Sequence, residues 1–158
     1  MSLVVRNSVP ADSVVVCDLV RRSITELCVG DHHSDEPTIA AWLSNKTKAN
    51  FAAWISSPRH VAITAELTGV IAGFALLNSI GTIALLYVAP EARFRGVSKA
   101  MLAALEDRAL ASGIRELKLE STATALAFYE RCGYVPAGAR VQGFGVTLAH
   151  PLTKRLAP

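Results

Sequence analysis

The chain has 158 residues, of which 51% are hydrophobic and 18% charged, and it carries a net charge of +3. This is the length of one ordinary domain with enough apolar material for a core, and the charge is too small and scattered for a nucleic-acid footprint. No apolar run reaches the roughly 18 residues that cross a membrane, residues 1–6 lack a leader pattern, and three widely spaced cysteines, Cys17, Cys28 and Cys132, suit neither a disulfide framework nor a zinc site. The expectation is a single domain over residues 1–158, in a reduced cytoplasm, without metal.

In chain order, Leu3 to Arg6 reads as a short strand. Val16, Val20, Ile24 and Leu27 recur at helical spacing, which predicts a helix from about Ala11 to Val29 with Gly30 as its stop. Asp31 to Pro37 reads as a polar loop. Ile39, Trp42 and Leu43 mark a short amphipathic helix, and Phe51, Trp54 and Ile55 repeat the spacing until Pro58. Strands follow over Val61–Glu66 and Val70–Leu77, joined by a Thr68-Gly69 turn, and then over Thr82–Val88 after a turn at 78–81. The last of these is almost wholly apolar, which predicts a central strand buried on both faces. Val97, Met101, Leu102, Leu105 and Ala109 predict a helix ending at Gly113. Leu117–Leu119 is a strand, Ala125, Phe128, Tyr129 and Cys132 give the inner face of another helix, and Tyr134 onward and Val146–Leu148 are the final strands. The order β-α-α-β-β-β-α-β-α-β-β describes an α/β (α+β) mixed sheet with helices on both faces.

The chemistry concentrates between Tyr87 and Leu102. There a strand ends, a short loop carries Arg93 and Arg95, and small residues lead into a helix. The first turn of a helix has unpaired N–H groups and a partial positive charge, and small residues let a phosphate approach the backbone. On spacing alone the stretch is equally an ordinary strand–loop–helix joint with solvated arginines.

This stretch resembles the GNAT superfamily of acetyl-CoA-dependent N-acetyltransferases, whose phosphate loop reads Gln/Arg-x-x-Gly-x-Gly/Ala after the fourth strand. Arg95-Gly96-Val97-Ser98-Lys99-Ala100 is similar to it, with Ser98 where the family has glycine. A second block, Leu119 to Tyr134, resembles the family's strand–loop–helix ending Phe-Tyr-Glu-x-x-Gly-Phe/Tyr, with Thr122 where asparagine is common. The two blocks stand in the family's order and separation, and the resemblance implies a GNAT-like fold and acetyl-CoA as cosubstrate. It further implies that the amides of Gly96 to Ala100 hold the pyrophosphate, with Arg93 and Arg95 adding charge beside them, that Leu86, Tyr87 and Val88 pair with the pantetheine arm as a strand would, and that Thr122 contacts the cofactor. Tyr129 matches the family's tyrosine that protonates the departing sulfur. Read without the family, Tyr129 is a core aromatic on the face of Ala125 and Phe128, and the two readings are compatible.

Acetyl transfer needs a base for the incoming ammonium. Many family members carry a glutamate on the fourth strand, but Thr82–Val88 has no acid. The candidates are Glu66, Glu120 and the loop histidines His32 and His33. The loop 31–36 would lie at the acceptor entrance, and the alternative is that it is solvated surface. The partners implied are CoA and a small amine or a peptide or protein amine, with no nucleic acid or membrane and room for a homodimer. Two other readings stay open: an acyl-CoA-binding protein without catalysis, and transfer of another short acyl group.

Overall fold

The structure, a computed structural model, describes residues 2–143 and 147–157. It opens with β1 (Leu3–Asn7), a tight turn at Pro10–Asp12, and four helices: α1 (Ser13–Leu27), α2 (Val29–His32), α3 (Glu36–Leu43) and α4 (Lys48–Ser56). Then come β2 (His60–Leu67), β3 (Val70–Asn78), β4 (Ile83–Val88), α5 (Val97–Ala111), β5 (Glu116–Ser121), α6 (Leu126–Arg131), β6 (Val135–Pro136), β7 (Val141–Gly143) and β8 (Thr147–Arg155).

β1 to β4 form an antiparallel sheet in chain order. The β2–β3 hairpin closes through Leu67 and Val70, which pair across Thr68 and Gly69. Both turn residues are left-handed, with φ of 52° and 79°, the conformation that matches a two-residue turn to strand twist. Sheet two has the order β5-β8-β6, with β7 also on β8. Thus β4 ends one sheet and β5 ends the other. The two meet near their starts, where Thr82 forms a parallel bridge to Lys118 and the Lys118 N–H donates to the Gly81 carbonyl at 2.9 Å. Beyond that point neither edge pairs with the other, and a wedge opens between them.

Helices cover both faces of the first sheet. Neighbouring residues on β3 point to opposite sides: Gly73 lies against Val97 and Met101 of α5, while the Phe74 ring meets Phe51 of α4 at 5.5 Å. α1 buries the stripe Val16, Leu19, Val20 and Ile24, the pattern its spacing predicts.

Three expectations change. The doubly buried strand is β3, with Ala72 to Leu77 all buried. β4 instead leaves Ala84 exposed and Leu86 to Val88 half-buried, because its apolar run faces the wedge and not a second layer. Residues 31–37 are not one polar loop: Gly30 lies inside α2, and α3 starts at Glu36 with the Asp35 carboxylate accepting the Thr38 N–H at 3.1 Å. The last strand is longer than expected and runs through Pro151; the expected strand residue Val146 lies outside the described residues.

Candidate active site

The wedge between β4 and β5 is the main cleft, with a volume of about 420 Å³. One wall is β4, whose outward N–H and C=O groups have no partner strand, and the other is β5 and its following loop. An extended molecule bearing amides can pair with such an edge as an added strand does. A β-bulge falls within β4: Leu76 pairs with Leu85 and Leu77 with Ile83, leaving Ala84 unmatched.

At one end the cleft opens on the start of α5. Gly96 is the N-cap residue with φ +78°, a left-handed conformation that glycine adopts without steric cost. The first intrahelical bond reaches Ala100, whose N–H donates to the Gly96 carbonyl at 3.0 Å, so by helix geometry the amides of Val97, Ser98 and Lys99 have no partner within the helix. Gly96, Val97, Ser98 and Lys99 all line the cleft, as do Arg93 and Arg131. Gly96 of the stretch Arg93-Phe94-Arg95-Gly96-Val97-Ser98 stands at the left-handed N-cap, while Arg95 and Ala100 are not in the lining. Phe94 also lines the cleft, 93% exposed and left-handed at φ 62°, with the Arg93 guanidinium 4.6 Å from its ring centre. The α1 side of this mouth is fixed by Arg22, which bridges Asp18 at 3.0 Å and Glu91 at 2.9 Å.

The lining also includes Tyr87, Tyr129, Thr122 and Cys28. Tyr129 is buried, its ring edge-on to Phe128 at 5.2 Å and to Tyr134 at 5.6 Å. Its hydroxyl makes no hydrogen bond among the described residues. Burial pushes the Tyr129 phenol up from its ordinary value, so it stays protonated at neutral pH and can act only as a proton donor. Burial does the same to Tyr87. Burial, and then the nearby Asp31 charge, push the Cys28 thiol up to about 12; it is wall and not nucleophile. Thr122 Oγ1 accepts the Ala125 N–H at 3.0 Å, which ties it to the start of α6.

Of the four acceptor-side candidates, only Glu120 lines the cleft. His32 is 2% exposed; its Nε2–H donates to the carbonyls of Ile24 at 2.9 Å and Thr25 at 3.2 Å, and its Nδ1 accepts the Ser34 N–H at 3.0 Å. With both nitrogens engaged by backbone, it has none to offer a substrate proton. His33 is exposed at the left-handed end of α2, and Glu66 is paired with Arg6 on the first sheet; neither lines the cleft. No motif marks Ser23, Leu27, Cys28 or Arg131 as lining residues, because they come from α1, the turn after it and the far end of α6, which only the fold brings together. Among the described residues no group of three His, Cys, Asp or Glu could hold a metal, and no helix is long and apolar enough to cross a membrane.

Residues 29–156 match the family described as acetyltransferase (GNAT) domain. A structure described as a GCN5-related N-acetyltransferase from Rhodopseudomonas palustris is 31% identical, with a TM-score of 0.87 over 99% of this chain and 97% of that one. The PaiA N-acetyltransferase of Thermoplasma acidophilum, solved with coenzyme A, is 20% identical with a TM-score of 0.83 over 99% of this chain and all 100% of that one. YncA of Salmonella typhimurium, solved with its cofactor acetyl-CoA, is 17% identical with a TM-score of 0.76 over 100% of this chain and 96% of that one. Among curated protein sequences none matches.

Proposed function

The chain belongs to the GNAT acetyltransferase family, and from that premise we propose that it moves the acetyl group of acetyl-CoA to a primary amine, with residues 1–158 acting as one catalytic domain. The observation that carries the reading is the cleft itself. It is an apolar slot between two unpaired strand edges, with a helix start, cations and a buried phenol in its lining.

In this reading the pyrophosphate rests on the amides following Gly96, with Arg93, Lys99 and Arg131 nearby. Each helix-end contact is worth only about 0.3–1 kcal/mol when exposed, so these groups act together. The pantetheine amides pair with β4 over Leu86 to Val88, and an outward β4 N–H donates a hydrogen bond to the thioester oxygen as charge grows there. Thr122 lines the same cleft.

An alkylamine with a pKa of about 10.4 is neutral in only one molecule in a few thousand at pH 7. Glu120, the one acceptor-side candidate in the cleft wall, takes the ammonium proton directly or through water. The neutral nitrogen attacks the carbonyl carbon, the C–S bond breaks, and the Tyr129 hydroxyl gives its proton to the leaving sulfur. A phenol whose pKa is raised by burial keeps that proton until charge develops on sulfur, so the transfer accompanies bond breaking. The attacking nitrogen, cationic once it has bonded to the carbonyl carbon, loses a second proton as the amide forms, and that proton, directly or through solvent, restores the phenol.

Thiol release from acetyl-CoA against a panel of amines, peptides and protein amino termini tests this. Tyr129→Phe should lower turnover by about 10²–10⁴-fold while CoA binding holds, and Glu120→Gln should lower turnover of alkylamines. Wild-type turnover in Tyr129→Phe would remove the acid from the scheme; no thiol release with any amine would remove the reaction.

A further inference from the structure

We propose that Asp31 is a positioning residue for Tyr129, an inference that rests on the acid role assigned above. Asp31 reaches across 92 and 93 residues of sequence to the loop between β5 and α6. One carboxylate oxygen accepts the Ala123 N–H at 2.7 Å; the other accepts the Thr124 N–H at 3.2 Å and the Thr124 hydroxyl at 2.6 Å. The group is buried, and all three donors converge on it from one loop.

That loop leads directly into α6, which is six residues long and carries Tyr129. So short a helix does not hold itself in place, and it takes its position from what anchors its ends. Locally, Thr122 Oγ1 accepts the Ala125 N–H. Asp31 ties this end to α2. The Tyr129 hydroxyl has no hydrogen bond of its own among the described residues, so its location follows the location of α6.

Asp31 is itself set firmly. It lies in the four-residue α2, and its neighbour His32 is fixed to the end of α1 through the Ile24 and Thr25 carbonyls. α2 leaves through two consecutive left-handed residues, His33 at φ 52° and Ser34 at φ 60°. Such conformations persist where surrounding bonds over-determine them, and the Ser34 N–H to His32 Nδ1 bond does so here. α1 packs against β4. Asp31 therefore joins the β4 wall to the β5–α6 wall at the end where the two strand edges have parted, and holds the phenol at a set distance from the β4 backbone.

Asparagine cannot replace it: its amide offers one acceptor oxygen for three donors and presents an NH₂ group to the backbone N–H groups. The test is a double-mutant cycle on the full chain, read as thiol release from acetyl-CoA with hydroxylamine, a small nucleophile that is neutral at pH 7 and so needs no base. CoA binding by calorimetry gives the active fraction. A displacement of about 1 Å at a reacting group can cost about 10²-fold, so Asp31→Asn is expected to lower turnover by about ten- to a hundredfold with CoA stoichiometry and affinity held. In the Tyr129→Phe background the same substitution should have no further effect, which a general loosening of the fold would not reproduce. Should Asp31→Asn fold poorly, Thr124→Val removes one of the three donors and should give a smaller loss of the same kind. Wild-type turnover in Asp31→Asn, or an equal loss in both backgrounds, would overturn the proposal. Wild-type turnover in Tyr129→Phe alone overturns the acid assignment, and the single variant identifies that outcome.

Discussion

Ser98 occupies the second position of α5, half-buried and in the cleft lining, where two electrostatic effects of opposite sign meet. An aspartate there lies in the positive field of the helix start and should stabilise the free protein by about 0.3–1 kcal/mol. The same charge opposes a bound pyrophosphate; two like unit charges about 4 Å apart repel by roughly 4 kcal/mol at an effective dielectric near 20. Ser98→Asp is therefore expected to leave thermal unfolding of the free protein unchanged or slightly raised while weakening CoA at least tenfold by calorimetry. Unchanged affinity would place the phosphates elsewhere. At this scale the sequence was informative about residue types and less so about conformation. Gly96, Ser98 and Tyr129 stood out as residues, but the left-handed N-cap at Gly96 is a backbone angle, and no residue type announces it. His32 and Asp31 were visible as polar groups. That one is tied to the end of the preceding helix and the other to a loop 92 residues away depends on packing, which a reading of neighbours does not contain.

Between β3 and α5 the packing leaves no room for a side chain at Gly73. A Cβ there would come within 2.8 Å of Met101 Cε and 2.9 Å of Val97 Cγ1. The methionine end can move. Val97 is β-branched, stiff at χ1, and the first residue of the helix whose start forms the proposed phosphate site, so part of the strain falls on that start. Overpacking of this kind costs about 1–3 kcal/mol, or roughly 2–4 °C per kcal/mol for a chain of this size. Gly73→Ala should lower the melting temperature and also weaken CoA. Leu152→Ala, a fully buried position on β8 away from the cleft lining, should lower the melting temperature with CoA affinity kept; equal affinity in the two variants would mean that α5 adjusts without moving its first turn. Helices and hairpins were legible because their periodicity and turn residues are local: the α1 stripe and the Thr68-Gly69 turn fall where the pattern puts them. The burial of β3 and β4 was not, since an apolar strand reads alike whether its second face meets a helix or an open cleft. An apolar run exposed at Ala84 and half-exposed from Leu86 to Val88 marks a surface kept for a ligand.

Among the described residues, burial raises the proton affinity of five groups: the thiols of Cys17 and Cys28 and the phenols of Tyr87, Tyr129 and Tyr134. In the unfolded chain the thiols ionise near about 8.5 and the phenols near about 10, so above those values the unfolded state releases protons that the folded state keeps. The stability these groups confer is complete below the unfolded values and is lost as pH rises toward the folded ones. At the acid limb the sign reverses. The hydrogen bonds from Arg6 hold the Asp12 carboxyl below its ordinary range, so its contribution is present above about pH 4 and disappears as pH falls through its folded value. Each group ionised only in the unfolded state steepens the alkaline loss by about 1.4 kcal/mol per pH unit, while Lys46, whose ammonium gives up its proton more readily on burial, acts in the opposite direction. Tyr129→Phe isolates one of them. The ring keeps its contacts with Phe128 and Tyr134, and no hydrogen bond of the hydroxyl is lost among the described residues, so urea unfolding at pH 7 should match the wild type. Between about pH 10 and 11 the slope of stability against pH should be shallower by up to about 1.4 kcal/mol per pH unit, the share of one phenol. An unchanged slope would mean that the folded protein lets the Tyr129 phenol ionise as readily as water does, and a phenol so exposed to solvent could not be the proton reservoir that the cleft requires.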